Sequence, residues 1–165
     1  MTNQDQTAHY QEFDALHHLH PFTSHKSLRA GAARVIVRGD GPYLWDSEGK
    51  RILDGMSGLW TANVGHSRKE LAEAAYEQML KLPFYNTFFR TTHPPVVELS
   101  RKLAEIAPDN INQVFYGSSG SESNDTAIRL IRHYWALKGE PKRRIIISRK
   151  NAYHGSTIAA ASMSG

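Results

Sequence analysis

The stretch Gly117-Ser-Ser-Gly-Ser-Glu122 is where residue types and spacing in this chain most plainly suggest chemistry. A glycine-rich turn that leaves a strand and enters a helix aims free backbone N–H groups at one point. The helix dipole adds about half a positive charge there. Glycine lets a ligand approach the backbone, and serine hydroxyls add further donors. Such a turn suits a phosphate. It is not the ATP-type loop, because no Gly-Lys-Ser/Thr follows, and it lacks the dinucleotide spacing Gly-x-Gly-x-x-Gly. The same residues also read as a plain capped helix, with Ser119 or Ser121 as the cap and Glu122 in the first turn. A serine nucleophile fits less well, since the Gly-x-Ser-x-Gly elbow is missing and too little chain follows for a triad in the usual order.

Tyr153-His154-Gly155 follows the next expected strand, so it should project from the same sheet edge as the serine turn. Ligands in open α/β sheets gather outside the carboxyl ends of the strands. An aromatic ring there can stack on a planar cofactor whose phosphate lies on the preceding turn. Taken singly, Tyr153 is also an ordinary loop aromatic and His154 a satisfied polar residue at a helix start. Lys150 is the lysine nearest this region, but nothing apolar around it would lower its pKa for covalent work.

The elements that would position these groups can be read from the pattern. Residues 1–30 are polar, rich in histidine and expected to be irregular. Residues 33–38, 43–46 and 51–54 read as strands joined by tight turns, a small antiparallel meander. Ser67-Arg-Lys-Glu70 matches a capping box ahead of a helix that Pro83 stops. Pro94 and Pro95 open a second helix that ends at Pro108-Asp-Asn110. Residues 112–116 then form a strand leading into the serine turn. A helix runs from about Glu122 to Lys138, with Ala127, Ile128, Ile131, Trp135 and Leu137 on its buried side. Residues 143–148 form a continuous apolar strand between charges, as expected when both sheet faces are covered. Strand, helix, strand in that order implies a right-handed parallel crossover. The residues from Ala152 to Gly165 open another helix. Two parallel strands make an unfinished doubly wound sheet, so the pattern reads as a truncated one.

The 165 residues are 40% hydrophobic and 22% charged, with a net charge of +4 and no cysteine. Disulfides, thiolate catalysis and cysteine metal sites are therefore excluded. No run reaches the roughly 20 apolar residues that span a bilayer, and the first residues lack a signal-peptide core. A cytoplasmic protein with no membrane partner is the simplest expectation. The basic residues Lys138, Lys142, Arg143, Arg144, Arg149 and Lys150 flank an apolar strand. They read as solubilising ends, with no nucleic-acid partner, because no binding motif accompanies them. His17, His18 and His20 are read as part of a mobile N-terminal arm and not as a metal site, since no carboxylate spacing or partner histidine supports one. Trp60, Phe84, Tyr85, Phe88 and Phe89 are on composition alone core or interface residues.

Taken in order, several segments resemble one family. Ser119-Gly-Ser-Glu-Ser-Asn124 is similar to the phosphate-binding motif of class III aminotransferases, and Asn151-Ala-Tyr-His-Gly-Ser156 to their cofactor-stacking loop. Leu53-Asp-Gly-Met-Ser-Gly-Leu-Trp60 with Asn63-Val-Gly-His66, and Leu82-Pro-Phe-Tyr-Asn86, also resemble this family. The resemblance runs from about His18 to Gly165 and is strongest to the amine–pyruvate, or omega, transaminases. Ser123 departs conservatively, where the family usually has alanine.

The resemblance implies the N-terminal portion of an α/β, fold-type I enzyme that uses pyridoxal 5'-phosphate (PLP). Residues 1–65 would be an arm and meander of the small domain, and residues 66–165 the start of the large cofactor-binding domain. Gly120 and Ser121 would hold the phosphate with help from Ser119. Tyr153 would lie on the pyridine ring, beside His154 and within reach of substrate. Trp60 would line the substrate pocket, Phe22 would sit at its rim, and Phe88 would reach into the site of a second subunit of a homodimer. The substrates implied are a small amine or omega-amino acid and a keto acid such as pyruvate. The Schiff-base lysine and the carboxylate beside the pyridine nitrogen lie later in the family, so no catalytic residue is expected within these residues. A non-catalytic chain acting as a binding or assembly module is the alternative. Phosphate on a helix terminus contributes up to about 2 kcal/mol and ring stacking about 1, against roughly 8 for micromolar affinity. By itself this stretch should hold PLP weakly.

Overall fold

The computed structural model describes residues 3–165, which separate into two compact units, Met1–Tyr85 and Asn86–Gly165. In the first unit, α1 (Asn3–His17) and α2 (His25–Gly31) precede the strands β1 (Ile36–Asp40), β2 (Tyr43–Asp46) and β3 (Arg51–Leu53). A single turn, α3 (Ser57–Trp60), and the helix α4 (Lys69–Lys81) complete it. The second unit holds α5 (Pro94–Ile106), α6 (Gly120–Leu137) and the short α7 (Ile158–Ser162).

The meander is present. β1-β2-β3 is an antiparallel sheet in which Arg38 faces Trp45 and Leu44 faces Ile52, with an irregularity between Ile36 and Arg38. Arg38 and Arg51 each lay a guanidinium on a neighbouring ring, Trp45 at 4.3 Å and Tyr43 at 4.6 Å. Asp46 is buried at the end of β2, where its Oδ1 accepts the backbone N–H groups of Glu48 and Lys50 and closes the turn into β3. His66 bridges back to the sheet through Gly41. A Cβ on Gly39 would come within 2.7 Å of the His66 Cβ, so only glycine fits beneath that ring.

Several expectations are corrected. The N-terminal residues are helical from Asn3, not irregular. Glutamine, glutamate, alanine and leucine carry α1 without a glycine or proline, and its polarity hid the period. The first strand begins at Ile36 and continues through Asp40, so the turn is shorter than read. Ser67 does not cap α4: it sits at φ 57° with its hydroxyl donating to the Gly39 carbonyl, and Glu70 pairs with Arg68 instead. The sheet contact outcompetes the local cap. Pro94 and Pro95 do open α5, and α4 ends ahead of Pro83.

The largest difference lies in the second unit. Residues 112–116 and 143–148 carry no ladder, and hence no parallel crossover, among the described residues. A buried parallel strand needs neighbours on both sides and helices on both faces. Here Ile145 and Ile147 stand 85% and 92% exposed. Of the stripe expected on α6, Ile128 is buried and Trp135 half-buried, while Ala127, Ile131 and Leu137 are open. The helix expected from Ala152 is confined to Ile158–Ser162. The elements are formed, but their apolar faces are largely uncovered.

Candidate functional site

The second unit brings the serine turn and the tyrosine loop together. α6 starts at Gly120 with Ser119 as its cap, and the Ser119 Oγ accepts the N–H of Glu122 at 3.2 Å. Glu122 reaches back so that its Oε2 accepts the N–H of Ser118 at 2.9 Å. This is a capping box displaced by one residue, and it fixes how the chain enters the helix. The N–H groups of Gly120 and Ser121 carry no hydrogen bond among the described residues. Both belong to the first turn, where the dipole is positive.

Residues from His154 to Ala160 dock on the start of α6 through a set of hydrogen bonds. The Ser121 Oγ accepts the N–H of Ser156 at 3.0 Å, and the Asn124 amide donates to the His154 carbonyl at 2.7 Å. Thr157 donates its hydroxyl to the Asp125 Oδ1 at 2.7 Å, and the same oxygen accepts the N–H of Ala160 at 2.9 Å. Asp125 thereby caps α7 from a neighbouring helix, in place of a local residue. Gly155 is buried at φ 134°, and a Cβ there would meet the Ser121 Oγ at 2.5 Å and the Ser121 Cα at 2.8 Å. The loop and α6 touch backbone to side chain, and glycine is what permits it.

Ser119 and Ser121 therefore use their oxygens as acceptors toward the protein, and each keeps a hydroxyl proton to donate elsewhere. Space is also available, since a Cβ built on Gly120 would meet nothing within 4 Å. The Nε2 of His154 is buried without a hydrogen-bond partner. The two unused N–H groups fit a polar, anionic ligand seated against the start of α6. Tyr153 is 65% exposed on the same loop, with its ring accessible.

The other expected residues are described within their own units. Phe22 (φ 48°) and Trp60 are largely exposed residues of the first unit. Phe88 lies in the loop before α5, where its N–H donates to Asn86 Oδ1 and its carbonyl accepts from Thr91. The support beneath Trp60 was not visible in the sequence. Ser57, Gly58, Leu59 and Trp60 all have positive φ, at 48°, 57°, 67° and 65°, making α3 a left-handed turn. Such a conformation costs about 1–2 kcal/mol per non-glycine residue. Asp54 holds it: its Oδ2 accepts the Gly58 N–H at 2.8 Å and meets the His66 Nε2 at 2.8 Å. The His66 hydrogen bond is the main cause holding the Asp54 carboxyl below its usual value. The only sequence hint was that Asp54 and His66 belong to consecutive glycine-rich segments. Asn124, Asp125 and Thr157 were likewise missed, since polar residues on a helix face carry no signal of what they dock.

Comparison with known proteins bears on this arrangement. The sequence model of the family Aminotransferase class-III matches residues 26–165. This chain belongs to the class-III aminotransferases. It is 53% identical over 168 residues to the putrescine–pyruvate aminotransferase of Pseudomonas aeruginosa, covering all of this chain and 37% of that protein. The crystal structure of an (S)-enantioselective omega-transaminase from Thermomicrobium roseum superposes with a TM-score of 0.93 at 49% identity, over 96% of this chain and 35% of that one. An omega-transaminase from Pseudomonas jessenii, solved in complex with PMP, matches with a TM-score of 0.91 at 40% identity, over 94% of this chain and 34% of that one. The chain thus spans about a third of the length of these relatives. The α/β architecture with its small antiparallel sheet is that of the corresponding part of these transaminases. No helix among the described residues is long and apolar enough to cross a membrane.

Proposed function

We propose that these residues form the phosphate-holding and part of the substrate-lining portion of a PLP-dependent class-III aminotransferase. The protein would move an amino group from an amine or omega-amino acid to a keto acid such as pyruvate. The observation that carries this reading is the docking of the Tyr153–Ser156 loop on the start of α6, which leaves the Gly120 and Ser121 N–H groups unused. The pyruvate-dependent enzymes among its relatives support the reaction class.

PLP, when bound, supplies an electron sink that eases loss of the substrate's α-proton. The chain's own residues have positioning roles. Gly120 and Ser121 donate backbone N–H groups to the phosphate, and the hydroxyls of Ser119 and Ser121 add donors without giving up their acceptor contacts. Tyr153 offers a ring face, and its loop is held at fixed height by Ser121 and Asn124. Trp60, on its left-handed turn, and Phe22 shape the amine pocket. The same reading takes the protein to be a cytoplasmic homodimer with shared sites, Phe88 reaching the second one. Residues 1–65 would belong to the small domain and 66–165 to the large one.

The test uses a protein of the relatives' length that contains these residues. It should retain PLP through gel filtration, with its visible absorbance band. It should also form alanine from pyruvate when given putrescine or β-alanine. Retention of PLP without transfer to pyruvate would remove the substrate assignment, and absence of both would overturn the reading.

A further inference from the structure

The C-terminal end of α1 and the residues after it bring together a cluster that no step above uses, and Asp14 supplies the carboxylate that the histidine pattern alone did not reveal. The Asp14 Oδ1 lies 3.0 Å from the His18 Nδ1 and 2.9 Å from the His20 Nε2, and the Asp14 Oδ2 lies 2.8 Å from the same His20 nitrogen. The two imidazole rings are 4.1 Å apart between centroids. One ligand atom from each residue falls within 4.8 Å of the others. Helical spacing places His18 one turn beyond Asp14, and the bend after His17 folds His20 back onto the same carboxylate. Asp14 and His20 are about four-fifths covered, while His18 stays open to solvent.

We propose that Asp14, His18 and His20 form a binding site for one divalent transition-metal ion of the zinc class. The donor set is two imidazole nitrogens and one carboxylate, which suits zinc, cobalt or nickel better than magnesium or calcium. The geometry is close to what an ion needs. Metal–ligand bonds of about 2.0–2.1 Å in a tetrahedral shell put ligand atoms roughly 3.3 Å apart. Both carboxylate–imidazole edges already sit near that, and only the edge between the histidines needs to close, by about 1.5 Å at most. His18 is 59% exposed and can make that movement. On binding, each imidazole turns a lone pair to the centre and keeps its proton on the other nitrogen. A concavity of about 550 Å³ beside the cluster, lined also by Tyr10 and Arg34, admits solvent to the remaining coordination position. An ion here would lock α1 to the segment leading into Pro21 and Phe22. The proposal stands independently of the aminotransferase reading.

The test is titration of the complete, tag-free, chelator-treated protein with Zn²⁺ by calorimetry, and with Co²⁺ by visible absorption. One ion per chain should bind with micromolar affinity or tighter, and Mg²⁺ should not compete. Asp14→Asn, His18→Ala and His20→Ala should each weaken binding by about tenfold or more. His17→Ala, whose ring stacks on Phe13 outside the cluster, should leave it unchanged. Circular dichroism checks that each variant keeps its helix, and His18→Ala, the most exposed position, serves if the others do not fold. Wild-type affinity no better than that of the ligand variants, or an equal loss in His17→Ala, would overturn the proposal in favour of diffuse histidine binding.

Discussion

Ser119 and Gly155 separate a structural role from a ligand-holding one. Ser119→Ala removes the cap of α6 and should cost about 1 kcal/mol of stability, seen as a lower denaturation midpoint. Ser119→Asp caps equally well but sets a carboxylate where a phosphate is proposed. It should keep the midpoint while PLP retention falls, and unchanged retention would remove the phosphate assignment. Gly155→Ala forces a side chain into Ser121 at a backbone angle that alanine rarely adopts. It should cost about 1–3 kcal/mol and lift the tyrosine loop, read as faster amide exchange at residues 153–156. The Asp54–His66 contact has a pH signature. A carboxyl with a depressed folded-state pKa stabilises fully above its unfolded value, and that contribution is lost as pH falls through the folded one. The loss should therefore begin below about pH 4. Asp54→Asn should flatten the stability curve there in chemical denaturation, and an unchanged acid limb would show that His66 does not engage Asp54.

At the scale of elements, what the sequence made legible follows from where the signals are local. The meander, α4, α5 and α6 were readable because tight turns, prolines and a serine cap act within a few residues. The stripe on α6 was legible as a pattern, yet most of it is uncovered, because burial depends on what packs against it. Ser67 shows how a local rule loses: the capping pattern was complete, but a hydrogen bond to Gly39, far away in sequence, claimed the hydroxyl. Residues 143–148 show the reverse, a clear strand signature without a ladder, since parallel pairing is not local at all. Of the candidate site, the serine turn and the loop at Tyr153 were legible as elements from residue types, and their docking was not. Asp125, Asn124 and the left-handed turn under Trp60 were not, since they exist only through contacts between segments.

For the molecule as a whole, accessible surface is the telling quantity. Only Ile128 and Ala160 are buried apolar residues among those described, while Ile145, Ile147, Phe89 and Ile158 are almost fully open. The 165 residues produced by themselves should bind a hydrophobic dye strongly and unfold over a broad temperature range. They should also hold PLP more weakly than micromolar. A sharp, dye-free transition would mean that the elements pack together more tightly than seen here.

The left-handed turn also changes what substitution means at Trp60. Replacing a tryptophan by a small residue in a packed core costs about 3–5 kcal/mol. Trp60 is 75% exposed and strained by its backbone, so glycine would lose little contact and relieve a conformation that only glycine accepts freely. Under the proposed function Trp60 borders the amine pocket, so a substitution that widens that pocket would be nearly neutral for folding, and mutational freedom would be concentrated where substrate range is set.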